Sequence, residues 1–154
     1  MKGLLEYMNR QQLQAKVKQL VHLMIHEKQE ASPIELFIRM DKLNSKLVQE
    51  WRVGKVPYLE RVIHGNLSQL SFIMSVYRKT ASEMGLQAVI RNYARWGKGP
   101  KKPLRFSKSG EVSIERGYST HYVKKKPAVT TTGLSEVEPV GSNLGNQTQR
   151  AQFS

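Results

Sequence analysis

The fold is decided by residues 65–85, GNLSQLSFIMSVYRKTASEMG. Large apolar residues recur there every three or four positions, which predicts one buried face of an α-helix over 67–84. They are Leu70, Ile73, Tyr77, Ala81 and Met84. Asn66 belongs to the residue types that cap helix N-termini, and Gly85 suits the left-handed residue that ends a helix. The stretch therefore predicts a helix with both ends marked.

Two further helices are predicted on the N-terminal side, over 3–29 and 33–52. Each carries an apolar stripe with near-heptad spacing. The stripes consist of Leu13, Val17, Leu20, Val21 and Met24, and of Leu36, Met40, Leu43, Leu47 and Trp51. Such stripes predict either an antiparallel helical hairpin over 1–52 or a homodimer through residues 13–51.

Local signals mark where these elements begin and end. Ser32 is placed to cap the second helix, Pro33 suits its first position, and Glu35 would complete a capping box. Gly54 ends that helix. Pro57 then opens a short helix that runs to His64.

The short helix, the turn Gly65-Asn66 and the helix 67–84 together have the order of a helix-turn-helix motif. In that interpretation Ser68, Gln69 and Ser71 meet base edges. The only two cations of the second helix lie in its second half, however, whereas groove reading usually uses N-terminal residues. The alternative is that this helix is core and that recognition lies C-terminal to it.

The pattern changes after residue 85. Residues 88–96 repeat a helical spacing, although their branched side chains also suit a strand, and we predict a helix. GKGPKKP, residues 97–103, cannot continue a helix. Alternation over 104–114 around Ser109-Gly110 predicts a small β-hairpin with Leu104 and Phe106 beside Ile114 and Val112. Residues 114–122 then suit either a third strand or a helix of period four.

The predicted fold class is mainly α, a bundle of about four to five helices with a small C-terminal β-hairpin or extended arm. One domain spans 1–123, with a helical hairpin at 1–52, a helical part at 57–96 and a basic loop and hairpin at 97–123. Residues 124–154 have few large apolar side chains, so we predict a disordered tail.

Positive charge is concentrated in one part of the chain. The net charge is +13, and residues 78–126 hold 13 Lys and Arg against 3 acidic residues. Within them lies the basic segment, residues 91–108, RNYARWGKGPKKPLRFSK, with seven cations, three aromatic residues and no acid. Cations neutralise phosphates and aromatic faces stack on bases, so this composition predicts nucleic-acid binding. The predicted contacts are Arg91, Arg95, Trp96, Lys98, Lys101, Lys102, Arg105 and Lys108.

DNA is favoured over RNA as the partner, because the framework is helical and the aromatics lack an RRM-like or cold-shock-like pattern. The protein is predicted to be a non-catalytic accessory or regulatory protein without a cofactor. The absence of cysteine excludes disulfides and thiolate zinc sites. Without a secretory or membrane-spanning apolar run, we expect a cytoplasmic protein and no membrane partner.

Two rival functions stay open. One is a metal-dependent nuclease or strand-transfer enzyme that uses His121, Tyr118 or Tyr122, although acids are scarce for a two-metal site. The other is an adaptor that binds an acidic protein through the same cations. His22 and His26 share a helix face with Glu30 nearby, but no fourth ligand follows, so no metal is predicted.

Overall fold

The computed structural model describes residues 9–125. In this range the chain is mostly helical and has five α-helices and one small antiparallel sheet, which confirms the mainly α prediction. The helices are α1 Arg10–Lys28, α2 Pro33–Arg39, α3 Ser45–Arg52, α4 Leu67–Glu83 and α5 Val112–Ser119. The strands are β1 Glu30–Ala31, β2 Gln87–Ile90 and β3 Thr120–Val123, and a 3₁₀ turn spans Leu59–Val62.

The core forms where α1 packs along α4. The predicted stripe of α1 is fully buried, and so is that of α4 apart from the half-buried Met84. Asn9 starts α1 with a reciprocal capping box to Gln12, and Asn66 caps α4 as predicted. Because the stripe of α1 is buried in the protein's own core, a homodimer through 13–51 would have to use other side chains.

Several sequence predictions fall beyond the described range. The prediction of one helix over 3–29 is wrong at its start, because α1 begins at Arg10 and Asn9 before it is extended. Residues 3–8 lie outside the described range, and so does the predicted tail 124–154 after Lys125. No helix within residues 9–125 is both long enough and apolar enough to cross a membrane.

The prediction of one helix over 33–52 is wrong. The chain leaves the helix at Met40, Asp41 adopts a left-handed φ of 61°, and Asn44 caps the new helix α3 by accepting from the amide of Lys46. Asp and Asn suit such positions because their short side chains bond to nearby backbone. Apolar residues of the predicted stripe are still buried on both sides of the break, since Met40 and Trp51 are both fully buried.

The sheet places its last strand in the middle, in the order β1-β3-β2. Ala31 pairs with Tyr122 on one side, and Val89 pairs with His121 on the other. The Tyr77 hydroxyl fastens α4 to this sheet, 3.2 Å from the carbonyl of Ala31 and 2.9 Å from that of Thr120. The sheet thus joins the N-terminal helices to the part of the chain that follows the basic segment.

Two predictions for the C-terminal half are wrong. The helix predicted over 88–96 does not form: residues 87–90 are β2, whose backbone pairs antiparallel with β3, and no helix occurs in 91–96. The hairpin predicted over 104–114 does not form, since Val112 begins α5 instead. Of the two alternatives for 114–122, each is right in part, because the chain is helical through Ser119 and then becomes β3.

Candidate nucleic-acid interface

The basic segment is folded back on itself as a hairpin-like loop. Its neck pairs 93–95 with 102–104, through an antiparallel bridge between Ala94 and Pro103 and flanking hydrogen bonds. The amide of Arg95 donates to the carbonyl of Lys102 at 2.9 Å. Residues 96–101, WGKGPK, form the tip, where Gly97 and Gly99 adopt φ values of 105° and 100°. The two glycines thus allow the chain to reverse direction at the tip, and the tip also contains Lys98 and Lys101.

The tip is fastened to the end of α3. The amide of Trp96 donates to the carbonyl of Arg52 at 2.7 Å, and Arg95 Nε donates to the carbonyl of Val53 at 3.2 Å. Gly54 makes this close approach possible, because a Cβ built on it would lie 2.8 Å from Arg95 Nε. The loop therefore has a fixed position on the helical framework.

The guanidinium of Arg52 is shared by two rings of the basic segment. Its carbon Cζ lies 4.3 Å from the centre of the Trp96 ring and 5.0 Å from that of Tyr93. Burial lowers the pKa of Arg52, and the buried Nη1 has no hydrogen-bond partner among the described residues. The two aromatic faces therefore supply much of the local compensation for this charge.

An aromatic cluster that includes Tyr93 packs the loop against the hydrophobic core. Tyr93 and Phe106 pack edge to face with ring centres 5.1 Å apart, and both contact the fully buried Trp51. The indole N–H of Trp51 donates to the carbonyl of Arg105 at 2.8 Å. The two arms of the loop are therefore joined by core packing as well as by backbone pairing.

Two carboxylates hold the C-terminal end of the basic segment. Glu115 on α5 accepts from the amides of Phe106 and Ser107 at 2.9 and 2.7 Å and from the Ser107 hydroxyl at 2.5 Å. Glu60 in the 3₁₀ turn accepts from the amide of Lys108 at 3.0 Å and from the Tyr118 hydroxyl at 2.9 Å. We call these contacts the carboxylate clamp. Its acids bind backbone and hydroxyl donors, so they leave the cationic side chains unpaired.

The predicted cations differ in what they contact. Arg91 forms two hydrogen bonds to the Glu30 carboxylate, at 3.0 and 3.2 Å. The Arg105 side chain donates to the carbonyls of Ser107 and Lys108, and Lys101 Nζ donates to that of Gly97 at 2.9 Å.

The basic segment therefore keeps most of its charge. Across residues 9–125, six of its seven cations form no ion pair, and Arg91 is the exception. These six are exposed and lie on one loop: Arg95, Lys98, Lys101, Lys102, Arg105 and Lys108. Trp96, the eighth predicted contact, is 47% exposed at the base of the tip.

A polar network that the sequence did not predict lies beside the loop. His121 Nδ1 lies 2.5 Å from Glu30 Oε2, and the Tyr93 hydroxyl lies 2.6 Å from His121 Nε2. Since the carboxylate is an acceptor, Nδ1 donates to it and Nε2 accepts from Tyr93. The network links β1, β3 and the neck. Its members are far apart in sequence, so no local pattern announced it.

The pKa values in this network follow from burial and from the paired charges. Burial raises the pKa of Glu30, but the hydrogen bonds and charges of Arg91 and His121 outweigh it and hold the value below normal. Burial and the nearby charge of Arg91 lower the pKa of His121, and together they outweigh the Glu30 carboxylate, which raises it. Burial also raises the pKa of Tyr93 to about 12. At neutral pH the network therefore holds a neutral histidine and a neutral phenol.

The side chains proposed for the rival enzyme do not meet. Tyr118 is buried, with its hydroxyl on Glu60 and its ring stacked on Phe106. Tyr122 packs edge-on against Tyr77, and His121 belongs to the network described above. No cluster of three metal-ligating side chains occurs in the part of the chain that the structure describes.

The helix-turn-helix interpretation gains little from the geometry. The element before α4 is a single 3₁₀ turn, Leu59–Val62, rather than a supporting helix. Ser68 accepts a bond from Arg10, and Gln69 accepts one from Lys42 Nζ at 2.7 Å, so both side chains have partners within the fold. The loop with its exposed cations is the better candidate site.

No family model matches this chain, and no curated protein or solved structure matches it either.

Proposed function

We propose that this protein is a nucleic-acid-binding accessory or regulatory protein, with DNA favoured as its partner, which contacts phosphates through the basic segment. The observation that carries the proposal is the unpaired charge of six exposed cations on one loop. Glu60 and Glu115, the two acids that bond to the end of the segment, accept from backbone amides and hydroxyls instead. A surface that leaves its cations unpaired attracts a polyanion strongly.

The fixed backbone of the loop supports the same proposal. The neck pairing, the bonds to α3 and the carboxylate clamp fix the loop backbone before binding, so little backbone conformational entropy is lost when the loop binds. The lysines contribute charge to phosphates, and Arg95 keeps its terminal nitrogens for a two-point contact, since only its Nε is bonded. Arg91 is the weakest of the predicted contacts because Glu30 already pairs with it.

The salt dependence of binding tests this proposal. Six phosphate contacts would give a slope of log K against log salt of about −5 for duplex DNA and about −4 for a single strand. Fluorescence anisotropy with labelled duplex DNA, single-stranded DNA and structured RNA over a salt series measures that slope. The variant Lys98→Ala/Lys101→Ala/Lys102→Ala should flatten it by about two to three units.

A matched control removes the same charge elsewhere. Lys16→Ala/Lys46→Ala/Lys79→Ala deletes three lysines that form no ion pair in residues 9–125 and lie outside the basic segment. It should leave the slope nearly unchanged. Equal effects of the two triple variants would contradict a specific role of the loop. Weak binding to every nucleic acid, with tight binding to an acidic protein, would favour the adaptor function instead.

A further inference from the structure

Trp96 is an aromatic side chain that lies outside the hydrophobic core. It is 47% exposed, whereas Trp51 is completely buried. Its position is nevertheless fixed, because its amide donates to the carbonyl of Arg52 and the Arg52 guanidinium covers one face of the indole at 4.3 Å. An aromatic ring held in this way presents its accessible surface at little cost in side-chain entropy.

We infer that the accessible face of Trp96 stacks on an unpaired base, so that the basic segment binds single-stranded DNA in preference to duplex. The inference rests on the proposed function and specifies its substrate class. Stacking on an aromatic ring tolerates any sequence, because every base has a π-face. The ring therefore adds affinity for single strands without base reading.

The surrounding cations suit a strand whose base reaches this ring. Lys98 and Lys101 follow Trp96 in the tip, and Arg95 precedes it. Lys101 Nζ donates one hydrogen bond to the carbonyl of Gly97 and has two N–H donors left for phosphate oxygens. A base stacked on Trp96 would therefore lie next to a ring that has cationic residues before and after it in the protein sequence.

A duplex cannot use the ring in the same way. Its bases are stacked on one another and offer only their edges in the grooves. To reach a base face, Trp96 would have to separate a base step or flip a base, and both require base stacking to be broken. The duplex therefore keeps the phosphate contacts and lacks the stacking contact.

The two tryptophans of the chain make the test direct. We would titrate the full chain with a single-stranded oligothymidylate of about 15 nucleotides, with its duplex and with inorganic polyphosphate, and follow tryptophan emission. Buried Trp51 serves as an internal reference, since a base cannot stack on it. Quenching by the single strand, absent with polyphosphate and lost in Trp96→Phe, is the expected result.

Affinity completes the test. Trp96→Ala should weaken the single strand by about 5- to 150-fold and the duplex by less than about 2-fold, whereas Trp96→Phe keeps a ring and should retain most of the affinity. Val112→Ala removes another exposed apolar side chain, 71% exposed on α5, and should change neither.

The outcomes separate this inference from the proposed function. Tight binding of both nucleic acids without quenching, or equal losses of affinity for both in Trp96→Ala, would overturn the stacking site and leave the phosphate interface standing. Failure of every nucleic acid to bind would overturn both. Circular dichroism of each variant establishes that it is folded.

Discussion

Removing the carboxylate of Glu115 should destabilise the fold and release the end of the basic segment. In Glu115→Ala the buried amides of Phe106 and Ser107 lose their acceptor, and the Ser107 hydroxyl loses its partner. An unsatisfied buried donor costs about 1–3 kcal/mol, so two amides imply a loss of about 2–6 kcal/mol. For a folded part of this size, that lowers Tm by roughly 8–25 °C.

Glu111→Ala is the matched control for this prediction. Glu111 precedes the same helix and carries the same charge, and its side chain makes no capping bond. Both substitutions weaken the favourable interaction of acids with the helix N-terminus by about 0.3–1 kcal/mol, so the difference between them isolates the clamp. Urea unfolding followed by circular dichroism gives both free energies. Equal destabilisation by the two substitutions would refute the reasoning.

Three further predictions concern contacts outside the clamp. Tyr77→Phe deletes the hydroxyl that joins α4 to the sheet and should cost about 1–2 kcal/mol in urea unfolding. His121→Gln should make stability less sensitive to acid: the folded pKa of His121 is lowered, so its contribution is complete above the unfolded pKa of about 6.5 and is lost as pH falls toward the folded pKa. Gly54→Ala forces a methyl group against Arg95 at a φ of +89° and should cost about 1–3 kcal/mol by thermal unfolding.

Each of these predictions has an internal comparison. Tyr122→Phe alters a half-buried phenol on the neighbouring strand and should cost less than Tyr77→Phe. His22→Gln makes the same substitution at an exposed position outside the network and serves as the control for the substitution itself. Gly85→Ala bears a similar backbone strain at φ +68° with open space around it, so a cost as large as that of Gly54→Ala would argue against the contact with Arg95.

The elements that sequence predicted best are those whose signals are local. For α4, a cap at Asn66, a period of three to four and a left-handed Gly85 all agree. The break inside 33–52 also had a signal, since Asp41 and Asn44 both favour non-helical positions, but the continuous apolar stripe concealed it.

The C-terminal half could not be predicted in the same way, because distant residues decide its structure. Residues 87–90 become a strand only because 120–123 lie beside them. The candidate site shows the same limit. Its cations were evident from composition, whereas Arg52 comes from a helix that ends about forty residues earlier, and only the folded chain brings it to Trp96.

The position of β3 determines when the loop can take shape during synthesis. β3 leaves the ribosome after both strands that flank it, and α5 emerges just before it. Until then Arg91 and Glu30 have no sheet to bring them together, and residues 106 and 107 have no Glu115 to hold them. A nascent chain therefore carries the cations of the basic segment before that segment has its folded shape, and release past residue 123 supplies the strand that completes it.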